Sequence, residues 1–446
     1  MVTAARATGN IDAYFELVRQ IEAARAETDR LFALVDPGAL YDRPIPERHR
    51  IVFYRGHLEA FDWNLLQSRL AGVKTFDAGL DRLFAFGIDP VDGELPSDQP
   101  SDWPALPQVE SYASRVRTLL DAALANAASG VDHGDQQESL VTLLNVALEH
   151  RLMHAETLAY MLHQLPLACK RPESEAEVAS ALPPAPGMVR LPAGDATLGL
   201  SGGGSSFGWD NEFDQCTVHV AGFEIDRFKV TNAEYLEFVR AGGYQARDLW
   251  TEDGWKWIRR EQISHPVFWT PEAREWRYRG MFQDRPLPLD WPVYVSHAEA
   301  AAYARWCDKR LPSEAEWHRA AYATDGGEER PFPWGSQQPA PQYGSFDLRR
   351  WDPWPVNAVP RSASAFGAEG LVGNGWEWTS TPFGPLPGFT PFPFYKGYSA
   401  DFFDGKHFVM KGGSARTDVS MLRRSFRNWF QPHYPYVYAT FRCVEE

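Results

Sequence analysis

Apolar residues recur at helical spacing over four long stretches near the start of the chain and rarely after them. From Ile11 to Val35, Tyr14, Leu17, Ile21, Ala24 and Leu31 alternate with charges until Pro37-Gly38 stops the pattern. A second helical stretch runs from roughly Ile51 to Leu70. After a Gly-, Asp- and Pro-rich connection over 87–107, a third runs from about Val109 to Ala128. The fourth, about Gln137 to Gln164, contains neither Pro nor Gly and carries Leu140, Leu143, Leu144, Ala147, Leu148, Leu158, Met161 and Leu162. Four long helices with uneven loops predict an α-helical bundle, a fold that builds metal sites from side chains on facing helices.

The pattern changes at 172–187, where Pro183-Pro184-Ala185-Pro186-Gly187 reads as a semi-rigid linker. Beyond it lie short alternating stretches (Met188-Val189-Arg190-Leu191, Thr217-Val218-His219-Val220, Phe223-Glu224-Ile225) between Gly, Pro and Asn clusters. Two shorter helices are expected, at Asn232 to Ala241 and Ser296 to Lys309. The expected organisation is a helical bundle over 1–171, a linker over 172–187 and an irregular, loop-rich α+β domain over 188–446. The run Gly202-Gly203-Gly204 lacks the Lys-Ser/Thr of a phosphate loop. The GxSxG match at Gly204 to Gly208 has no helical pattern after it and is read as chance.

Candidate chemistry centres on the fourth helix. His150 and His154 stand i and i+4 apart, so at about 100° per residue their imidazoles share one face and can reach one metal ion. Glu149 and Glu156 are rotated away from that face, so a third ligand must come from elsewhere. His57, in the apolar setting Phe53-Tyr54-Arg55-Gly56-His57-Leu58, is the best candidate. Three neutral histidines suit a borderline metal, iron or zinc among them, and leave positions open for chemistry. The same spacing also arises by chance, with both rings solvated or hydrogen-bonded.

Composition narrows the partners. The chain of 446 residues carries 17 Trp, 17 Tyr and 27 Phe, enough ring area for a well-packed core and an aromatic-lined pocket. A net charge of -15 and the lack of any basic stripe exclude nucleic acid as the expected partner. Cys169, Cys216, Cys307 and Cys443 are scattered without a metal or disulfide spacing. No apolar run is long enough to span a bilayer, and a cytoplasmic protein with no membrane partner is expected.

Several phrases of the second domain carry a family resemblance. Phe207-Gly208-Trp209-Asp210-Asn211-Glu212, Val230-Thr231-Asn232-Ala233-Glu234-Tyr235, Arg310-Leu311-Pro312-Ser313-Glu314-Ala315-Glu316-Trp317, Gly373-Asn374-Gly375-Trp376-Glu377-Trp378-Thr379 and Gly412-Gly413-Ser414 resemble the formylglycine-generating enzyme superfamily, a C-type-lectin-like fold. The copper-dependent members place a cysteine pair after the Gly-Gly-Ser turn. Ala415 to Phe430 contains none, so formylglycine generation is not expected. The first domain resembles a DinB-like four-helix bundle. Its HxxxHxETLxYML phrase together with His57 is similar to the iron-binding half of the ergothioneine-type sulfoxide synthases.

The resemblance implies an iron(II) enzyme with His57, His150 and His154 as metal ligands. It also implies hercynine, the trimethylated betaine of histidine, and O2 as substrates, with a chalcogen joined to the imidazole C2. It places Asn428 and Trp429 on the hercynine side. Tyr395 and Tyr398 are the candidates for a proton-donating tyrosine. Many relatives follow the Asn-Trp pair with an acid and then paired arginines. Here Phe430, Gln431, His433 and Tyr434 occupy that run and offer rings and neutral hydrogen-bonding groups. The sequence therefore resembles the selenoneine synthase branch, whose donor is a selenosugar. Arg115 and Arg117 on the third helix are candidates for receiving a donor carboxylate. The alternatives are a sulfoxide synthase using cysteine or γ-glutamylcysteine as the thiol, a zinc DinB-like thiol transferase, or a non-catalytic binding protein.

Overall fold

The computed structural model describes residues 2–85, 95–127, 139–174, 182–202, 206–273 and 275–445, and side chains from residue 13 onward. The glycine run with its GxSxG match, the expected helix ends at Ala128 and Gln137, the 87–107 connection and the 172–187 linker lie partly outside those residues. The chain forms two compact units, Met1–Glu173 and Ser174–Glu446.

The first unit holds α1 (Val2–Ala33), α2 (Ile51–Leu66), a short α3 (Ala78–Leu83), α4 (Leu106–Ala127) and α5 (Leu140–Gln164). The first helix starts at Val2 rather than at Ile11, because Gly9 and Asn10 lower helix propensity without breaking the run. Ser139 caps α5 by accepting from the Thr142 amide, and Leu165, extended before Pro166, ends it. α4 buries a single stripe: Val109, Tyr112, Ala113, Val116, Leu120, Ala123 and Leu124. By contrast, α2 and α5 are buried almost all round, charged residues included, which makes them the central pair. The six residues of α3 are too few to show a period in sequence. Asp77 caps that helix by accepting from the Leu80 amide.

The second unit is built from small sheets. β1 (Met188–Leu191), β4 (Phe223–Asp226) and β12 (Val444–Glu445) form one antiparallel sheet in the order β1-β4-β12. β8 (Trp376–Pro382), β9 (Phe408–Lys411), β10 (Asn428–Phe430) and β11 (Ala439–Thr440) form another in the order β10-β9-β8-β11, with only β8 and β11 parallel. β2 (Gly194–Leu198) pairs with β3 (Cys216–Val220), and β5 (Trp269–Glu272), β6 (Glu275–Arg279) and β7 (Asp284–Pro286) complete the strands.

The two expected helices appear as α6 (Asn232–Arg240) and α8 (His297–Trp306). Two more of similar length were not legible: α7 (Glu252–Arg260), which contains Gly254, and α9 (Glu314–Tyr322), which lies inside a family phrase. α9 starts on a capping box in which Ser313 accepts from the Glu316 amide and Glu316 accepts from that of Ser313. A short α10 (Gly397–Ala400) is the last α-helix among the described residues.

The family phrases form a buried ionic scaffold. Glu377, fully buried on β8, accepts from Lys229 (2.6 Å), from Arg442 (2.6 and 2.9 Å) and from the Trp317 indole (2.9 Å). Glu314, at the start of α9, accepts from Arg427 (2.9 and 3.1 Å). Glu212 accepts from Arg423 (2.8 Å), Ser425 (2.6 Å) and the Trp209 amide (2.8 Å). Burial pushes these carboxyls up, but their arginine and lysine partners outweigh it and hold all three below the ordinary range.

Candidate metal centre

His57 stands on α2, with His150 and His154 one turn apart on α5. One ring nitrogen from each can be chosen so that the three lie within 4.8 Å of one another, and all three residues are buried. Among the described residues this is the one cluster of metal-ligating groups with that geometry. Neighbouring rings set the orientation: Phe53 stacks on His57 (4.8 Å between centroids, 20°) and Phe61 on His150 (3.4 Å, 10°).

The tautomer of His57 follows from its partner. Its Nδ1 lies 2.7 Å from the Phe84 carbonyl oxygen, which can only accept, so Nδ1 carries the proton and Nε2 presents a lone pair. That Nε2 is buried with no hydrogen-bond partner, as are Nδ1 of His150 and Nδ1 of His154. Burial pushes His57 down to about 4, against the opposing pull of the Phe84 bond. Burial also drives His150 and His154 well below the ordinary histidine value, and the neighbouring rings add to the shift. Three neutral imidazoles with orphaned nitrogens are the donor set that a borderline divalent metal requires, so the residues fit a metal.

The Phe84 carbonyl has no signal in the sequence, because it follows the short α3. The neighbouring Gly56 does carry one in retrospect: a Cβ there would meet the Phe84 ring at 2.5 Å, so only glycine admits that ring beside His57. Arg117 pairs with Asp29 (2.6 and 3.0 Å) and with Glu59 (2.7 and 3.0 Å), which occupies its guanidinium inside the bundle. Arg115 is exposed and lies over the Phe76 ring.

In the second unit the candidates fall into separate groups. Trp429 stacks on Phe383 (4.1 Å, 6°) and meets Tyr398 edge-on (5.4 Å, 78°). Tyr398 in turn stacks on Trp209 (3.9 Å, 22°) and lies 5.4 Å from Tyr395. On the opposite face of β10, by strand alternation, are Asn428 and Phe430. Phe430 stacks on Tyr434 (5.3 Å, 10°), while His433 stacks on Trp257 of α7 (5.1 Å, 19°) and Gln431 is exposed. The run expected to line one donor pocket is thus divided among different neighbours.

Residues 174–446 match the family described as sulfatase-modifying factor enzyme 1-like domain, and residues 20–158 match the DinB superfamily. A hercynine oxygenase of Mycobacterium tuberculosis is 39% identical over 249 residues, covering 55% of this chain and 58% of its own. One from Mycolicibacterium thermoresistibile is 38% identical over 310 residues, covering 67% and 68%. Ergothioneine biosynthesis protein 1 of Neurospora crassa is 26% identical over 496 residues, covering 91% and 55%. The chain spans less than two thirds of the length of the first of these curated relatives. With helices in its first unit and small sheets in its second, the chain belongs to the sulfatase-modifying factor enzyme 1-like family, joins a DinB superfamily domain to it, and is a relative of the proteins named hercynine oxygenase.

Proposed function

We propose that this chain is a non-haem iron(II) enzyme that uses O2 to form a carbon–selenium or carbon–sulfur bond at the imidazole C2 of hercynine, with a selenosugar as the preferred donor. The observation that carries the reading is the trio of buried, neutral histidines with orphaned nitrogens. The names of the relatives, hercynine oxygenase and ergothioneine biosynthesis protein 1, support the substrate. Iron(II), when bound, supplies open positions for substrates and one-electron chemistry with O2.

In this reading His57, His150 and His154 hold the metal, and the Phe84 carbonyl keeps the lone pair of His57 turned toward it. Asn428 and Trp429 bind hercynine, with the ring face of an indole favouring a trimethylammonium group. Tyr395 or Tyr398 is the candidate proton donor, through its phenol. The donor side is Phe430, Gln431, His433 and Tyr434. Burial lowers His433, so this run is uncharged at neutral pH, which suits a sugar better than an amino-acid thiol. Because Arg117 is already paired, we assign neither it nor the exposed Arg115 to a donor carboxylate.

Anaerobic purification with metal analysis, followed by turnover of hercynine and O2 with a selenosugar, cysteine or γ-glutamylcysteine, tests the reading. Stoichiometric iron and fastest turnover with the selenosugar are expected. Faster turnover with γ-glutamylcysteine returns the donor to a thiol. Zinc alone, without oxygen-dependent turnover, replaces the reading with a thiol transferase.

A further inference from the structure

A second buried cluster adjoins the histidines and is not used by the proposed chemistry. Arg151, one residue after His150, is 1% exposed, and Glu59 and Asp62 on α2 are equally buried. The Arg151 guanidinium donates to Glu59 Oε1 (3.0 Å), to Asp62 Oδ2 (2.7 Å), to the Leu58 carbonyl (3.0 Å) and to Thr28 Oγ1 on α1 (3.3 Å). Glu59 accepts from Arg117 of α4 as well, so the cluster joins all four long helices.

Such a cluster is a poor device for stability alone. Buried ion pairs lose much of their attraction to desolvation, and apolar replacements of similar volume are often neutral or stabilising. What a rigid guanidinium fork provides is register. Glu59 and Asp62 stand three residues apart, nearly one turn along α2. One Nη of Arg151 takes each, so α2 can neither slide along α5 nor rotate against it without breaking a bond. His57 stands two residues before Glu59, and His150 one residue before Arg151. The register that the fork sets is therefore the one that brings the three imidazoles together.

We infer that Arg151, Glu59 and Asp62 are positioning residues for the three-histidine metal site, a fork that fixes α2 against α5 so that the ligand nitrogens converge. The inference rests on the histidines holding a metal. Arg151 is also a buried cation one residue along α5 from the ligand His150. The two carboxylates thus have a second effect, since they neutralise a cation that would otherwise repel the metal.

The test separates positioning from structure. In the full-length protein, the triple variant Glu59→Met, Asp62→Leu, Arg151→Met removes the fork without leaving a charge of the fork unpaired, and Arg117 keeps Asp29. Its metal-free thermal midpoint is expected to equal or exceed that of the wild type, while its cobalt(II) affinity falls at least about 10-fold and the cobalt absorption bands shift. Arg151→Lys keeps the charge but loses the fork. It serves if the triple variant does not fold, with a loss of about 10-fold expected at a near-native midpoint. A folded variant with wild-type affinity and spectrum overturns the inference. Absence of cobalt(II) binding by the wild type itself overturns the metal reading and the inference with it.

Discussion

The ionic scaffold of the second unit and the histidine cluster of the first treat buried polar groups in opposite ways. In the second unit, Glu377, Glu314 and Glu212 are each surrounded by donors that satisfy them. His297, on α8, is a histidine of the same kind: its Nε2 lies 3.2 Å from the Thr379 carbonyl and its ring stacks on Phe408 (3.8 Å, 17°). In the bundle, His57, His150 and His154 are just as buried, yet each keeps a ring nitrogen with no partner. A buried polar group that is satisfied holds the fold, whereas three buried histidines with unsatisfied nitrogens, clustered within reach of one ion, are held ready for something else.

The strongest way to break this comparison is to remove a ligand. His154→Ala, and likewise His57→Ala or His150→Ala, is expected to lose metal retention and turnover, because two protein ligands rarely hold a divalent ion against buffer. Full iron occupancy in any of the three would show the orphaned nitrogens to be incidental. His297→Phe should leave metal content unchanged.

Removing a scaffold charge tests the other side. Glu377→Ala leaves Lys229 and Arg442 buried without their carboxylate and is expected to destabilise the fold by about 3–5 kcal/mol in denaturant unfolding. A loss below about 1 kcal/mol would mean that the phrase around Trp376 and Trp378 is held by its indoles alone.

The satisfied histidine also makes a pH prediction. Burial pushes His297 from the ordinary value of 6.5 down to about 3. Above pH 6.5 both folded and unfolded chains are neutral there. As pH falls from 6.5 toward 3, the unfolded chain takes up a proton that the folded chain refuses, so stability declines by up to about 1.4 kcal/mol per pH unit. Below about 3 the contribution is constant. His297→Phe should flatten this part of the stability profile, and an unchanged slope between pH 6 and 4 would contradict the assignment.

How much of this was legible in the sequence follows from range. The His150/His154 pair is local, set by helix spacing, and could be read directly. The four long helices were legible because their apolar residues repeat over many turns. His57 could be singled out by its apolar neighbours, but its distance from α5 is a tertiary fact with no local signature. The Phe84 carbonyl is a backbone group, on which side-chain patterns are silent. α9 was hidden because Glu314 and Trp317 are buried for ionic and indole contacts, so its buried face does not look apolar. The run Phe430 to Tyr434 shows the limit in another way. Adjacent residues of a strand and turn meet different neighbours, so closeness in sequence does not by itself say which of them share a surface.

The finest probe of the comparison is a single methyl group. Gly56 precedes His57, and a Cβ at that position would stand 2.5 Å from the Phe84 ring, closer than real contacts allow. Phe84 is fully buried, so its ring has no open space to enter, and Gly56→Ala must push α2 and the end of α3 apart. Overpacking of this kind costs about 1–3 kcal/mol. The same displacement pulls the Phe84 carbonyl from His57 Nδ1, now 2.7 Å away, and frees the ring to turn. If that bond orients the ligand, cobalt(II) affinity should fall about 10-fold alongside the loss of stability. A destabilised Gly56→Ala protein with unaltered metal affinity would show that Phe84 only packs, and that the His57 ring is oriented by its stacking on Phe53 instead.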